Sequence, residues 1–311
     1  MRNLALLLLT TLLVGCSPAY PGIPASSQTT LLVYSQLDRS LSTYTEQMEL
    51  LGKWDLEKPY TGMVLLPDDH ILFYGYGMDR FGIYNLLTGK QVTEVETPEG
   101  TVGAYTDDSG FYLSNSKINE VSYYTHDFEL EETLATGSYP MSMTSDEGKL
   151  YVINYQGEHI SVIDQNEWEV VDEYPIPRAS QGIMISDQQL FVGGHGSGAT
   201  VNTSIQILNK TEGILEKEIA MPIMPITFAE SDDFIYTLSH GSNILYQVQD
   251  QKIVDQLTVG SNPFALAASS EFLYVAGYDD DTLYKIKDMK IVDSIDTGDG
   301  PLQVVIREGS S

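Results

Sequence analysis

"KLYVINYQGEHISVID", Lys149–Asp164, decides how the rest of the chain is read. Leu150 and Val152, then Ile160 and Val162, alternate with residues that must face the other way, the period-two pattern of extended chain. Between them "YQGEH", Tyr155 to His159, is polar, contains a glycine and makes a turn. Two strands and a short turn are a hairpin, and a lone hairpin is marginal in water. The phrase needs partners, and the chain supplies them by repetition.

The positions equivalent to Tyr151 are Leu32, Leu72, Tyr112, Phe191, Tyr236 and Tyr274. Successive spacings from Leu32 are 40, 40, 39, 40, 45 and 38. A period near forty, with several short strands per period and no helical periodicity, predicts an all-β fold: a seven-bladed β-propeller of four-stranded antiparallel blades. In the fourth period the expected strands are Pro140 to Thr144, Leu150 to Asn154, Ile160 to Asp164 and Trp168 to Tyr174. Nothing before Leu31 resembles the first strand of a period. The chain instead ends in "GPLQVVI", which matches "YPMSMT" and "NPFALAA" and has no second strand after it. The C-terminal strand is therefore expected to close the first blade. Trp54 and Trp168 are assigned to outer strands, and no Gly-His…Trp-Asp pattern, sialidase box or Cys-x-x-Cys-His haem motif is present.

"GKLYVINYQGEHISVID" and "EFLYVAGYDDDTLYKI", each following an inner strand that contains a proline, resemble the YVTN-type repeats of seven-bladed propellers, the YncE-like and lactonase-like group. The resemblance is close in the fourth and seventh periods and loose in the second and third, whose inner strands lack the proline. It implies the propeller fold. It leaves function open, because such propellers include both binders and enzymes.

The first residues belong to a different region. "MRNLALLLLTTLLVGC" has Arg2 and then an apolar run from Leu4 to Val14, too short to span a bilayer comfortably and of the length of a secretory leader. Leu13-Val14-Gly15-Cys16 resembles the bacterial lipobox, whose cysteine is lipidated, and Cys16 is the only cysteine. Residues 1–15 are thus expected to be a lipoprotein signal peptide, 16–30 the lipidated cysteine and a flexible Pro/Ser/Thr-rich tether, and 31–311 the propeller. This implies an extracytoplasmic protein anchored to the bacterial cell membrane by lipid on Cys16. The formal charge is -28, or -29 once Arg2 leaves with the leader (15 basic against 44 acidic residues). Such a surface repels nucleic acid, which is not expected as a partner.

Propeller sites lie where the channel opens, on the face of the loops joining second to third strands. Those loops here include "YQGEH", "HGSGATVNT" (His195 to Thr203), "HGSN" (His240 to Asn243) and "YDDD" (Tyr278 to Asp281). The fifth-period loop is the long one and accounts for the spacing of 45. It is glycine-rich, but strands flank it on both sides, so it lacks the strand–helix context of a phosphate loop, and it has no Gly-x-Ser-x-Gly elbow. His159, His195 and His240 fall on this face in consecutive blades, whereas His70 and His126 fall on the other. Loops on neighbouring blades of a propeller are often about ten ångströms or more apart, roughly twice what shared metal ligation allows, and three adjacent aspartates in "YDDD" point in different directions, so no metal or cofactor is expected. Asp38-Arg39 and Asp79-Arg80 recur in the first two blades, where a local ion pair is the commoner arrangement. The expected lining residues are Tyr155, His159, His195, His240 and Tyr278, with no catalytic residue assigned. Two functions remain open: display of the mouth to a small-molecule ligand or partner protein, or lactonase-like or other hydrolysis there.

Overall fold

The computed structural model describes residues 20–25 and 28–309; Cys16 and the leader lie outside the described residues. Among the described residues twenty-eight strands, numbered β1–β28 in chain order, form seven four-stranded antiparallel sheets. The first blade is β28 (Pro301–Arg307), β1 (Thr30–Ser35), β2 (Ser40–Thr45) and β3 (Leu50–Asp55), in that order from the channel outward. Blade 2 is β4–β7 (62–96), blade 3 β8–β11 (101–135), blade 4 β12–β15 (140–175), blade 5 β16–β19 (180–220), blade 6 β20–β23 (225–258) and blade 7 β24–β27 (263–296). The fold is the seven-bladed propeller that the repeat predicts, and the C-terminal strand closes it.

Period-two alternation explains why the hairpin could not stand alone. In β13 (Lys149–Asn154), Leu150 and Val152 pack with Tyr112, Val121 and Met143 toward blades 3 and 4. Tyr151 and Ile153 face the other way, against Leu190, Val192 and Leu208 of blade 5. Every blade divides its apolar residues in this manner. The core is consequently seven layers, one between each pair of neighbouring blades. The closing strand follows the same rule, with Leu302 and Val305 joining the layer between blades 1 and 2, and Val304 and Ile306 the layer between blades 7 and 1. Near the channel the inner strands crowd together. A Cβ at Gly182, in β16 (Ser180–Ser186), would stand 2.3 Å from the Ile226 carbonyl oxygen of the next blade, so only glycine fits there.

Two details differ from the sequence reading. Trp168 occupies the turn before β15 (Glu169–Pro175) rather than the strand, with φ of 50°, and stacks on Tyr112. More consequential is the segment read as a flexible tether. Tyr20 donates its N–H to the Gly89 carbonyl and Ile23 to that of Leu86, both at 2.8 Å. The Tyr20 ring stacks on Trp54 at 4.9 Å, the Trp54 indole N–H donates to the Pro21 carbonyl at 2.8 Å, and Ile23 and Trp54 are both 0% exposed. Residues 20–23 are thus a strap seated between blades 1 and 2, at the face opposite the second-to-third-strand loops. A Pro/Ser/Thr-rich composition conceals this because two apolar side chains, Tyr20 and Ile23, do the docking.

Candidate functional site at the channel mouth

One backbone joint recurs around the mouth. In six of the seven blades the residue just before the inner strand has a left-handed conformation: Gly100, Tyr139, Ala179, Met224, Asn262 and Gly300, with φ between 50° and 115°. Its carbonyl accepts the N–H of the residue that follows the second strand: Ser116, Tyr155, His195, His240, Tyr278 and Gln36, respectively. Blade 2 lacks the joint, and there the Thr61 hydroxyl accepts the Tyr76 N–H at 3.1 Å. Equivalent residues of successive blades are therefore held at equivalent places on a circle, and loops as different as "YQGE" and "HGSGAT" start from the same geometry.

Four of the five expected lining residues, Tyr155, His195, His240 and Tyr278, occupy this circle. Their rings form a continuous chain: Tyr139 to Tyr155 at 5.7 Å, Tyr155 to His195 at 6.4 Å, His195 to His240 at 4.9 Å, His240 to Phe264 at 4.7 Å and Phe264 to Tyr278 at 5.7 Å between centroids. The Tyr278 hydroxyl continues the arc by donating to Gln36 Oε1 at 3.3 Å. Edge-on and tilted contacts of this kind favour a fixed arrangement of the rings.

His159 stands apart. It is the first residue of β14 (His159–Asp164), not a loop residue, and its ring packs beside Gly137 within blade 4, where Nε2 is buried 3.7 Å from Glu173. The sequence places it near the mouth, but its strand register takes it off the arc. Conversely, Tyr139 and Phe264 were missed. Each flanks the proline that opens an inner strand (Pro140 and Pro263), and that adjacency is the signal that could have found them.

The two imidazoles carry unmet polar capacity. His240 Nδ1 lies 2.9 Å from Asn262 Oδ1, and Asn262 Nδ2 faces Asp279 Oδ1 at 3.4 Å. This orientation puts the proton of the neutral ring on Nδ1 and leaves a lone pair on Nε2. That Nε2 and His195 Nδ1 are both buried without a hydrogen-bond partner among the described residues. Burial, and secondarily the neighbouring His240, holds His195 below the usual histidine range, so it is neutral at pH 7. Among the described residues no three His, Cys, Asp or Glu side chains are gathered as a metal site.

Beside the arc, the blade 5 loop encloses space. Asn202 closes its base, donating to the carbonyls of Gly194 at 3.1 Å and Ser204 at 2.9 Å. A cavity of about 590 Å³ lies between this loop and blade 4, lined by Tyr155, Arg178, His195, Ser197, Thr200 and Met224 among others. A larger cavity, about 1030 Å³, is on the opposite face among acidic turns that include Asp187, Asp232 and Asp250, and it contains none of the arc residues.

No family model matches the sequence, and no curated protein does either. Solved structures do match the fold. A functionally unknown protein from Desulfotomaculum acetoxidans superposes with a TM-score of 0.76 at 13% identity, covering 91% of this chain and 100% of the other. AztD from Citrobacter koseri gives 0.64 at 10% identity, covering 91% and 98%. Virginiamycin B lyase from Staphylococcus aureus gives 0.67 at 16% identity, covering 85% and 93%. At such identities the likeness is one of architecture: this chain is similar to these proteins as a propeller, and its function must be argued from its own mouth.

Proposed function

We propose that this chain is an extracytoplasmic lipoprotein of the YVTN-type propeller group, held to the membrane by lipid on Cys16, whose propeller binds a ligand at the channel mouth. The observation that carries the binding reading is the arc from Tyr139 to Tyr278, with two buried imidazole nitrogens lacking partners inside it. An unpaired buried polar atom costs roughly 1–3 kcal/mol, and a ligand that satisfies it recovers part of that cost on binding. Rings held by one another present contact area with little entropy left to lose. The fold is shared by proteins of different activities, which is compatible with a binding role and does not select it.

A second reading, hydrolysis of a lactone or ester, is supported by the Asp279–Asn262–His240 chain. It orients one imidazole with a free lone pair, as a general base requires. Hydrolysis would also need a donor for the developing oxyanion, so the binding reading demands less of this site.

Equilibrium dialysis of the full-length protein in detergent against a metabolite extract, read by mass spectrometry, tests both. A variant with Tyr155, His195, His240 and Tyr278 all changed to alanine is expected to lose the retained compound. A variant with Asp68, Asp108, Glu147 and Asp232 changed to asparagine or glutamine, on the opposite face, is expected to keep it. Loss only in the second variant would sink the mouth as the site. Turnover of a lactone or ester panel that vanishes in His240→Gln would establish hydrolysis instead of binding alone.

A further inference from the structure

Among the described residues eight of the fifteen Lys and Arg side chains are in no ion pair, and of these Arg178 is the one that lines a cavity together with Tyr155 and His195. Lys53, Lys58, Arg80, Lys117, Lys210, Lys287 and Arg307 are all in ion pairs. Arg178 has no ion pair and no side-chain hydrogen bond among the described residues, although it lies on the functional face. It lines both the 590 Å³ cavity with Tyr155 and His195 and an adjoining cavity of about 360 Å³ with Ser180, Ser197 and Thr200.

Its backbone is well held. The neighbouring Ala179 donates its N–H to the Tyr155 carbonyl at 2.8 Å and accepts from the His195 N–H at 3.0 Å. Arg178 is thereby indexed to two members of the aromatic arc. Across the cavity the blade 5 loop is folded tightly enough that a Cβ on Gly196 would meet the Thr200 carbonyl oxygen at 2.2 Å. Its Ser197 and Thr200 hydroxyls lie 3.1 Å apart. A guanidinium, a pair of hydroxyls and the Tyr155 and His195 rings then surround one space.

We propose that Arg178 is the anchor of a carboxylate subsite, and that the ligand of the mouth is a small organic monoanion with an aromatic or unsaturated body. This deepens the binding reading and rests on it. The planar guanidinium fork matches a carboxylate with two parallel N–H donors, and the rings that line the same cavity offer apolar faces to a flat body. A single cation in so acidic a molecule suits one negative charge. A phosphate monoester would bring nearly two into a field that repels both. Glu158, which lines the smaller cavity with Arg178, opposes the anion and tunes its affinity.

The test is calorimetric titration of the full-length protein with aryl carboxylates, benzoate and indole-3-acetate, against benzamide and indole-3-acetamide. The acids are expected to bind about tenfold or more tightly than the amides. Arg178→Gln is expected to erase that preference by weakening acid binding far more than amide binding, and Glu158→Gln to strengthen acid binding severalfold. If acids and amides bind equally and Tyr155→Ala weakens both, the subsite proposal fails while the mouth stands. An acid preference that survives Arg178→Gln also overturns it. If neither class binds, the carboxylate proposal fails; whether the mouth reading fails with it is decided by the dialysis of the alanine variant.

Discussion

Asp107 shows how a single carboxylate joins two blades. It follows β8 (Thr101–Thr106) in blade 3 and accepts hydrogen bonds from Ser145 at 2.7 Å and Gln165 at 2.9 Å, both in blade 4, as well as from Ser109. Burial alone would raise its pKa, but the bonds from Ser109, Ser145 and Gln165 outweigh it, and the group is held below the ordinary aspartate range. A depressed carboxylate contributes stability that is present above the unfolded-state value, near 3.9, and lost as pH falls through the folded one. Asp107→Asn is expected to cost about 1–2 kcal/mol at pH 7, a figure discounted for partial solvent access, with the gap to wild type closing toward pH 3. Denaturant unfolding at the two pH values checks this, and an equal gap at both would mean that the charge is not responsible. Nothing in the sequence marks Asp107, because its partners lie 38 and 58 positions away. His195 and His240 were legible because they occupy the same position of consecutive repeats. Arg178 was not, because its place in one cavity with Tyr155 and His195 is a fact of three dimensions.

At the scale of the element, β28 does the work of an inner strand for a blade formed by the other end of the chain. It pairs with β1 in register from Thr30↔Arg307 to Tyr34↔Gln303. Arg307 bonds Asp69 through Nε at 2.7 Å and Nη2 at 2.6 Å, and the Gln303 side chain accepts the Met63 N–H at 2.7 Å. Removing Leu302–Ser311 would bare the inner edge of β1 and strip two apolar layers. The truncated chain is expected to melt well below the intact one, by more than 10 °C as a rough order. Unchanged thermal unfolding would refute closure by this strand. Strand order and closure were legible because alternation and a forty-residue period leave few other solutions. The left-handed joints were not, since Tyr139, Ala179, Met224 and Asn262 bear side chains that give no cue to φ, and only Gly100 and Gly300 hint at it.

The whole molecule is a closed ring with its two faces differently equipped, and the strap at Tyr20–Ile23 decides how that ring would stand. Were residues 17–30 free, a lipid on Cys16 could hold the propeller at any tilt within a reach of about 50 Å. With Tyr20 fixed, the extended chain from Cys16 spans about 14 Å at most. If the lipid proposed for Cys16 is present, the point of attachment is the rim of blades 1 and 2 beside the Leu86–Gly89 turn, on the side away from the aromatic arc. A propeller held there sits close to the bilayer at one edge and presents its mouth to the space beyond, at a set height. A fluorophore on Ser197→Cys, measured against acceptors in the bilayer, is expected to report one narrow distance in the anchored protein and a broader distribution in Tyr20→Ala/Ile23→Ser. The same distribution in both would mean that the strap does not govern orientation. In such an anchored protein, four residues of apparent linker would fix which way the channel mouth looks.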